Sequence, residues 1–116
     1  MSEPAVRIHN TIEIQSVLMD VQAEMHNLNL WESQRPSEQA LASSQPFCID
    51  TLNFTQWLQF VFIERLHTMI NAEMELPSQS NITAMAEEYF RPLEINAGTL
   101  LIMLQRIDDL LTLCAE

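Results

Sequence analysis

The stretch of this chain that most constrains its fold is an apolar-rich run, NFTQWLQFVFIERLHTMIN, from Asn53 to Asn71. Asn53 is suited to cap a helix, because its side-chain oxygen can accept a hydrogen bond from a first-turn amide. Gln56 lies where its side chain can return a bond to the Asn53 amide, and Leu52 and Trp57 are spaced for a hydrophobic staple. These signals together predict a helix that begins at Asn53.

On a wheel of about 100° per residue, this predicted helix is apolar over most of its circumference. The apolar arc contains Phe54, Trp57, Leu58, Val61, Phe62, Ile63, Leu66, Met69 and Ile70, and the remaining strip contains Gln56, Phe60, Glu64, His67 and Asn71. A helix with so wide an apolar surface is expected to be buried in a domain. It is too often interrupted by charge to be a membrane span, which needs about 20 mostly apolar residues.

Arg65 stands in the middle of the apolar arc, where a guanidinium needs a partner or a route to water. One interpretation is a structural ion pair of Arg65 with Glu88 or Asp50. A second is an arginine that recognises an anion or small ligand, in a site formed with Trp57 and Glu88. A third is a side chain that reaches solvent along its own stem.

Two further long helices are predicted, one on each side of the central helix in the sequence. The first spans about Glu3 to Asn29, and the last runs from Ile95 or Asn96 to Cys114, because apolar residues recur at spacings of three and four in both. The apolar faces are formed by Ile14, Leu18, Val21, Met25 and Leu28 in the first, and by Leu100, Met103, Leu104, Ile107, Leu110 and Leu111 in the last.

A short helix is predicted between the central and the last helix, from Ile82 to Phe90. Asn81 or Ser80 is expected to cap its start. Pro92 is expected to end it, because the residue before a proline is pushed out of the helical region.

The connection over residues 30–51 is too long to lack structure of its own in a compact domain. A short helical turn is therefore predicted from Ser37 to Ala42, with Ser37 as its cap. Trp31 and Phe47 are expected to pin the connection onto the helices.

The composition fits one all-α domain over residues 1–116, a four-helix bundle or array with three long helices, one short helix and long ordered connections. A single glycine excludes glycine-rich phosphate loops and leaves few turns of positive φ, which disfavours a hairpin-rich β fold. Hydrophobic residues make up 47% of the chain, too many for general disorder. The formal net charge of −11 repels nucleic acid phosphates and anionic membranes, and favours a basic protein partner.

No pattern in the sequence predicts a metal, a cofactor or a catalytic centre. Glu64 and His67 have the Glu-x-x-His spacing of di-iron bundles, but the motif has no second copy. Cys48 and Cys114 lie too far apart for a zinc motif and are expected to be free thiols. The first residues lack the apolar core of a signal peptide, so a cytoplasmic location is expected.

Several words of the sequence resemble a known family. They are QPFCIDTLNFTQWLQFVFIERLH (Gln45 to His67), Trp31 and LAS (Leu41 to Ser43) before it, and Leu76, Pro77 and ITAMAEEYF (Ile82 to Phe90) after it. Together they are similar to the YqcC-like family of small bacterial helical-bundle proteins, from Trp31 through Leu111. The resemblance implies a four-helix fold and supplies no catalytic residues.

The resemblance implies one expectation about an individual position and one about function. A proline usually precedes the family arginine that matches Arg65, whereas this chain has Glu64 there, so a straighter helix is expected. Some relatives are encoded beside a tRNA pseudouridine synthase. The resemblance therefore implies, as an alternative, an accessory role in tRNA modification.

Taken together, these features predict a non-enzymatic interaction or accessory protein with a protein partner and no direct nucleic-acid or membrane contact. The alternatives are a small-ligand or anion-binding domain, with a site around Arg65, Trp57 and Glu88, and an accessory of tRNA modification. The sequence leaves the oligomeric state open.

Overall fold

The computed structural model describes residues 4–77 and 80–114, and the side chains of residues 4–9 and of Cys114 lie outside the described part. The elements are α1 (Pro4–Asn27), α2 (Glu38–Leu41), a 3₁₀ turn (Pro46–Cys48), α3 (Phe54–Trp57), a π segment (Leu58–Ile63), α4 (Glu64–Asn71), α5 (Ile82–Phe90) and α6 (Gly98–Cys114). Because α3, the π segment and α4 follow one another without a break, they form one central helix over residues 54–71. The predicted all-α class is confirmed. The expected free thiol of Cys114 lies outside the described residues, whereas Cys48 is free and buried.

One hydrophobic core joins the helices. α6 packs against both α1 and α5, and α3 packs against α5. The fully buried side chains at its centre are Ile14, Leu18, Val21, Met25, Leu58, Leu66, Leu100, Leu104, Ile107, Leu110 and Leu111. Each such side chain contributes about 1.5–3 kcal/mol relative to its exposed state, so burial supplies most of the stability. None of the helices within residues 4–77 and 80–114 has the length and apolar character needed to cross a membrane.

The start of the central helix is built as predicted. The Gln56 amide donates to Asn53 Oδ1 at 2.8 Å, and the Asn53 amide donates to Gln56 Oε1 at 3.0 Å. This reciprocal pair is a capping box, which satisfies two amides that have no partner within the helix. Leu52 and Trp57, the two staple positions, are both buried.

The long connection before the central helix is held by backbone contacts as well as by aromatic rings. The predicted turn is confirmed as α2, and Ser37 Oγ accepts from the Ala40 amide at 3.1 Å. The buried side-chain amide of Gln59 makes two hydrogen bonds to the backbone of Glu32. Its oxygen accepts from the Glu32 N–H and its nitrogen donates to the Glu32 carbonyl, each at 2.9 Å. Trp31 lies 5.4 Å from the His26 ring, between ring centroids.

Two helices end in a residue with positive φ that is not glycine. At the end of α1, the Leu30 amide donates to the Met25 carbonyl and the Asn29 amide to the His26 carbonyl, with Asn29 at φ 60°. This is a Schellman motif, and α4 ends the same way at Glu73. The expectation of few positive-φ turns is therefore wrong, because capping hydrogen bonds offset the steric cost of the left-handed residue.

The start of α5 corrects the predicted caps. Asn81 occupies the cap position but makes no side-chain capping bond, and Ser80 donates its hydroxyl to Asp108. Asp108, a buried residue of α6, accepts from the amides of Ile82 at 3.3 Å and Thr83 at 3.0 Å. A carboxylate from another helix thus replaces the local cap.

Candidate binding pocket

An open, mostly apolar pocket of about 440 Å³ lies where the 3₁₀ turn, the start of the central helix and α5 meet. It is lined by Phe47, Ile49, Leu52, Asn53, Phe54, Trp57, Met85, Glu88 and Tyr89. Its volume falls in the range of binding sites in proteins, about 300–1,000 Å³. The pocket is therefore the candidate functional site.

Aromatic rings form the wall of the pocket. Trp57 lies 5.1 Å from Phe47 in an edge-to-face arrangement and 6.2 Å from Phe54, between ring centroids. Phe54 in turn lies 5.7 Å from Tyr89 of α5. Such pairs contribute about 0.5–1.5 kcal/mol each beyond their buried area, so the wall is held in one arrangement.

The rim of the pocket depends on an unusual backbone turn. Phe47 and Cys48 are consecutive residues with φ of 56° and 52°. The left-handed conformation costs roughly 1–2 kcal/mol for a residue with a Cβ atom. This turn leaves the Phe47 ring partly exposed against Trp57, while Cys48 is buried and Ile49 is 75% exposed.

Glu88 is the charged residue of the pocket lining. Its carboxylate pairs with Arg91 of the same helical end at 2.9 Å, and both side chains are largely exposed. An exposed pair of this kind contributes between about 0 and 1 kcal/mol, so it exchanges readily with other partners.

Among the predicted site residues, the structure brings Trp57 and Glu88 together in the pocket lining but leaves Arg65 outside it. Arg65 is exposed, and none of the ion pairs within the described residues includes it. Glu88 pairs with Arg91 instead, and Asp50 accepts a hydrogen bond from the Ser43 hydroxyl. The predicted ion pair of Arg65 with Glu88 or Asp50 is thus not formed.

The π segment explains why Arg65 lies at the surface. A π turn holds one residue more than an α turn, so the residues after it are rotated by about 100° from their places on a regular wheel. Leu66 is consequently the buried residue of α4, and Arg65 beside it turns to solvent. Phe60, placed on the polar strip by the regular wheel, is buried within the π segment, with the Arg35 guanidinium 5.9 Å from its ring centroid.

Within the described residues, Glu64 and His67 belong to no group of three potential metal ligands. Glu64 pairs with Arg35 at 2.6 Å. Across the described part of the chain, no three His, Cys, Asp or Glu side chains are grouped so as to hold a metal ion. The helix runs without interruption through Glu64.

The sequence analysis joined Trp57 and Glu88 in one candidate site, but it did not assign the other lining residues to that site. Phe54 of the central helix and Met85 and Tyr89 of α5 carried a detectable signal, because each follows helical spacing on an apolar face. The contribution of Phe47 and Ile49 depends on a left-handed turn without glycine, for which the local sequence offers no signal.

The fold and the pocket define a small all-α protein with an open apolar site at one helix start. The chain matches the DUF446 family, described as tRNA pseudouridine synthase C, over residues 13–110. It belongs to this family, and the resemblance to the YqcC-like proteins is confirmed.

Three relatives place the chain within this family. It is 38% identical to an uncharacterised protein of Haemophilus influenzae Rd over 71 residues, which cover 61% of this chain and 67% of the relative. It is 26% identical to the uncharacterised protein YqcC of Escherichia coli K12 over 102 residues, 88% of this chain and 92% of YqcC. It is 32% identical to tRNA pseudouridine synthase C of Pectobacterium carotovorum over 65 residues, 56% of this chain but 17% of that protein. No solved structure matches the chain.

Proposed function

We propose that this protein is a non-enzymatic accessory protein of the bacterial cytosol, and that it binds a protein that takes part in pseudouridine formation in tRNA. The observation that carries the proposal is the 65-residue match within a much longer protein named tRNA pseudouridine synthase C. YqcC, by contrast, is covered over 92% of its length, so a related segment also makes up nearly all of another protein. A segment that occurs both alone and as part of an enzyme's chain is expected to serve the same process in both settings.

The chemistry of the pocket favours binding over bond making. Its wall is mostly aromatic and aliphatic, and Glu88 is its charged group. Nucleophilic catalysis needs a nucleophile with a base within hydrogen-bond reach. Among the described residues the hydrogen-bond partner of Glu88 is Arg91, whose guanidinium stays protonated and cannot act as that base.

The charge of the chain favours a protein as the partner over tRNA itself. The chain carries 16 acidic residues against five arginines, and no lysine. Binding to nucleic acid draws most of its affinity from lysine and arginine contacts to phosphate. We therefore expect the chain to bind the enzyme and not to contact the tRNA.

The test combines the purified full chain with the tRNA pseudouridine synthase C of the same organism. We expect a one-to-one complex with a Kd of about 10 µM or tighter by isothermal titration calorimetry. We also expect a changed rate of pseudouridine formation in tRNA, with no binding of tRNA by the chain alone. The proposal fails if the two proteins form no complex and the rate of the synthase is unchanged.

A small-ligand site is the second candidate, favoured by the volume of about 440 Å³. Trp57 and Glu88 stay in this hypothesis, whereas Arg65 leaves it because it is not part of the lining. Since the charged group that remains is acidic, an apolar or cationic ligand is expected and not an anion. Quenching of the tryptophan fluorescence by a small apolar amine, retained in a Trp31→Phe variant and absent in a Glu88→Gln variant, is the outcome expected of this candidate.

A further inference from the structure

We propose that the pocket binds a basic segment of a protein partner, with one large apolar side chain inserted beside Trp57 and a lysine or arginine placed against Glu88. This inference rests on the proposed function, and it names the surface and the chemistry of the partner. It assigns the pocket lining, instead of Arg65, as the recognition site.

Apolar surface extends outward from the pocket to its rim. Ile49 is 75% exposed and Phe47 is 48% exposed, and both extend the apolar wall outward to the molecular surface. Exposed apolar residues gathered at the mouth of a pocket mark an interaction site for a larger partner. A small ligand would leave this rim uncovered, whereas a protein segment with an anchoring side chain would cover both pocket and rim.

Contacts between aromatic rings make the wall of the pocket rigid. Trp57 is held by Phe47, by Phe54 and by Phe62, whose ring centroid lies 5.5 Å away. An aromatic anchor that enters a preformed aromatic pocket does not have to order the receptor, so little conformational entropy is lost on binding. The site is thus suited to hold one inserted side chain.

The surroundings of the pocket are acidic, which complements a basic partner. The two segments that form the pocket, residues 46–57 and 82–91, contain Asp50, Glu87 and Glu88 against a single base, Arg91. The Arg91 guanidinium lies 2.9 Å from the Glu88 carboxylate, and this ion pair is weak because both side chains are largely exposed. A cation of the partner can take that place and draw additional attraction from the net charge of −11.

The same charge argues against a second copy of this chain as the occupant. Two chains that each carry a net charge of −11 repel, and a symmetric contact would bring Glu88 of both copies to one interface. Like charges placed together across an interface oppose association. The structure therefore favours a different, basic partner.

The experiment uses the full chain and a pair of fluorescein-labelled amphipathic peptides, followed by fluorescence anisotropy at physiological salt. One peptide carries leucines and a phenylalanine on one face, with lysines beside them, and the other replaces each lysine by glutamate. We expect the lysine peptide to bind at least about tenfold more tightly than the glutamate peptide.

Matched variants locate the binding on the chain. Ile49→Asn should weaken the lysine peptide about tenfold, and Glu88→Gln about threefold. Because both residues are exposed, neither variant threatens the fold. The controls are Ile102→Asn, at an exposed isoleucine of α6, and Glu75→Gln, at an exposed glutamate outside the pocket. Both controls should leave the affinity unchanged.

Three outcomes overturn the inference. Equal affinity for the two peptides would show that charge does not select the partner. Equal weakening by Ile49→Asn and Ile102→Asn would show that the peptide does not bind at the pocket. A concentration-dependent dimer in sedimentation experiments that Ile49→Asn abolishes would assign the pocket to a second copy.

Failure of this inference and failure of the proposed function are distinguishable. If the synthase binds the Ile49→Asn variant as tightly as the parent chain, the accessory function stands and the pocket is not its surface. If the peptides behave as expected and the synthase forms no complex, the pocket chemistry stands and the role in tRNA pseudouridine formation is rejected.

Discussion

Two helices of this protein begin in different ways. The central helix is capped by its own neighbours, because Asn53 and Gln56 exchange hydrogen bonds within one turn. α5 is capped by Asp108 of α6, whose carboxylate accepts from the amides of Ile82 and Thr83 and from the Thr83 hydroxyl. The first cap is at the surface, whereas Asp108 is only 8% exposed.

The hydrogen bonds at the two helix starts differ in two properties. One is the separation of the partners in the sequence, and the other is the access of water to them. When a surface cap is removed, water can take over the freed amide, and the cost is about 1 kcal/mol. When a buried acceptor is removed, each freed donor keeps a desolvation penalty of about 1–3 kcal/mol. We therefore expect burial, and not separation in sequence, to set the cost of losing each contact.

The largest effect is expected for Asp108→Ala. This change leaves the Thr83 amide and hydroxyl without their acceptor in a buried place, and should lower the free energy of unfolding by about 3 kcal/mol. Urea denaturation measures it as a lower midpoint. Asp109→Ala is the matched control, since Asp109 is exposed and its side chain accepts a hydrogen bond from Gln105 of its own helix. Similar midpoints for the two variants would show that water reaches the start of α5.

The next effect is expected for Gln59→Leu, which keeps the size of the side chain and removes its amide. The N–H and the carbonyl of Glu32 both lose their partner, so the free energy of unfolding should fall by about 2 kcal/mol. Hydrogen exchange should also quicken at Glu32. If the variant kept the parental stability and the parental hydrogen exchange at Glu32, water would have to reach this contact as it reaches the Asn53 cap.

A smaller loss is expected for Asn53→Ala, about 1 kcal/mol, because water replaces the lost oxygen at the Gln56 amide. Asn53→Ser should retain most of the stability, since serine is also a good cap. Thermal or urea unfolding of the two variants tests this. If Asn53→Ala lost as much stability as Asp108→Ala, burial would not set the cost of losing a helix cap.

The smallest effect is expected for Glu64→Gln. Glu64 pairs with Arg35, which is far away in sequence, but about half of each side chain is exposed. The pair should contribute about 0.5 kcal/mol or less, and less still at high salt. A double-mutant cycle with Arg35→Ala measures it. If the coupling free energy of Glu64 and Arg35 exceeded the stability lost in Asn53→Ala, separation in sequence would also contribute to the cost of losing a contact.

The same distinction explains what the sequence predicts well. The Asn53 and Ser37 caps and the apolar faces of α1 and α6 are confirmed, because each depends on residues within one or two turns of one another. Regular helical spacing and capping chemistry are local properties. They therefore fix the class and most of the core before any packing is known.

The parts that the sequence did not predict depend on geometry between elements or on a change of pitch. The cap by Asp108 requires that α6 lie beside the start of α5. The position of Arg65 requires the π turn, and a wheel of constant pitch cannot contain one. The pocket requires two left-handed residues, Phe47 and Cys48, that lack the usual glycine signal.

The place of Asp108 on α6 also bears on the order in which the protein can mature during synthesis. α6 is the last of these helices to leave the ribosome, yet it supplies the cap of α5 and the surface against which α1 packs. Until α6 emerges, the apolar face of α1 stays exposed and α5 lacks acceptors for its first amides. The core shared by these helices therefore cannot form before α6 has been synthesised.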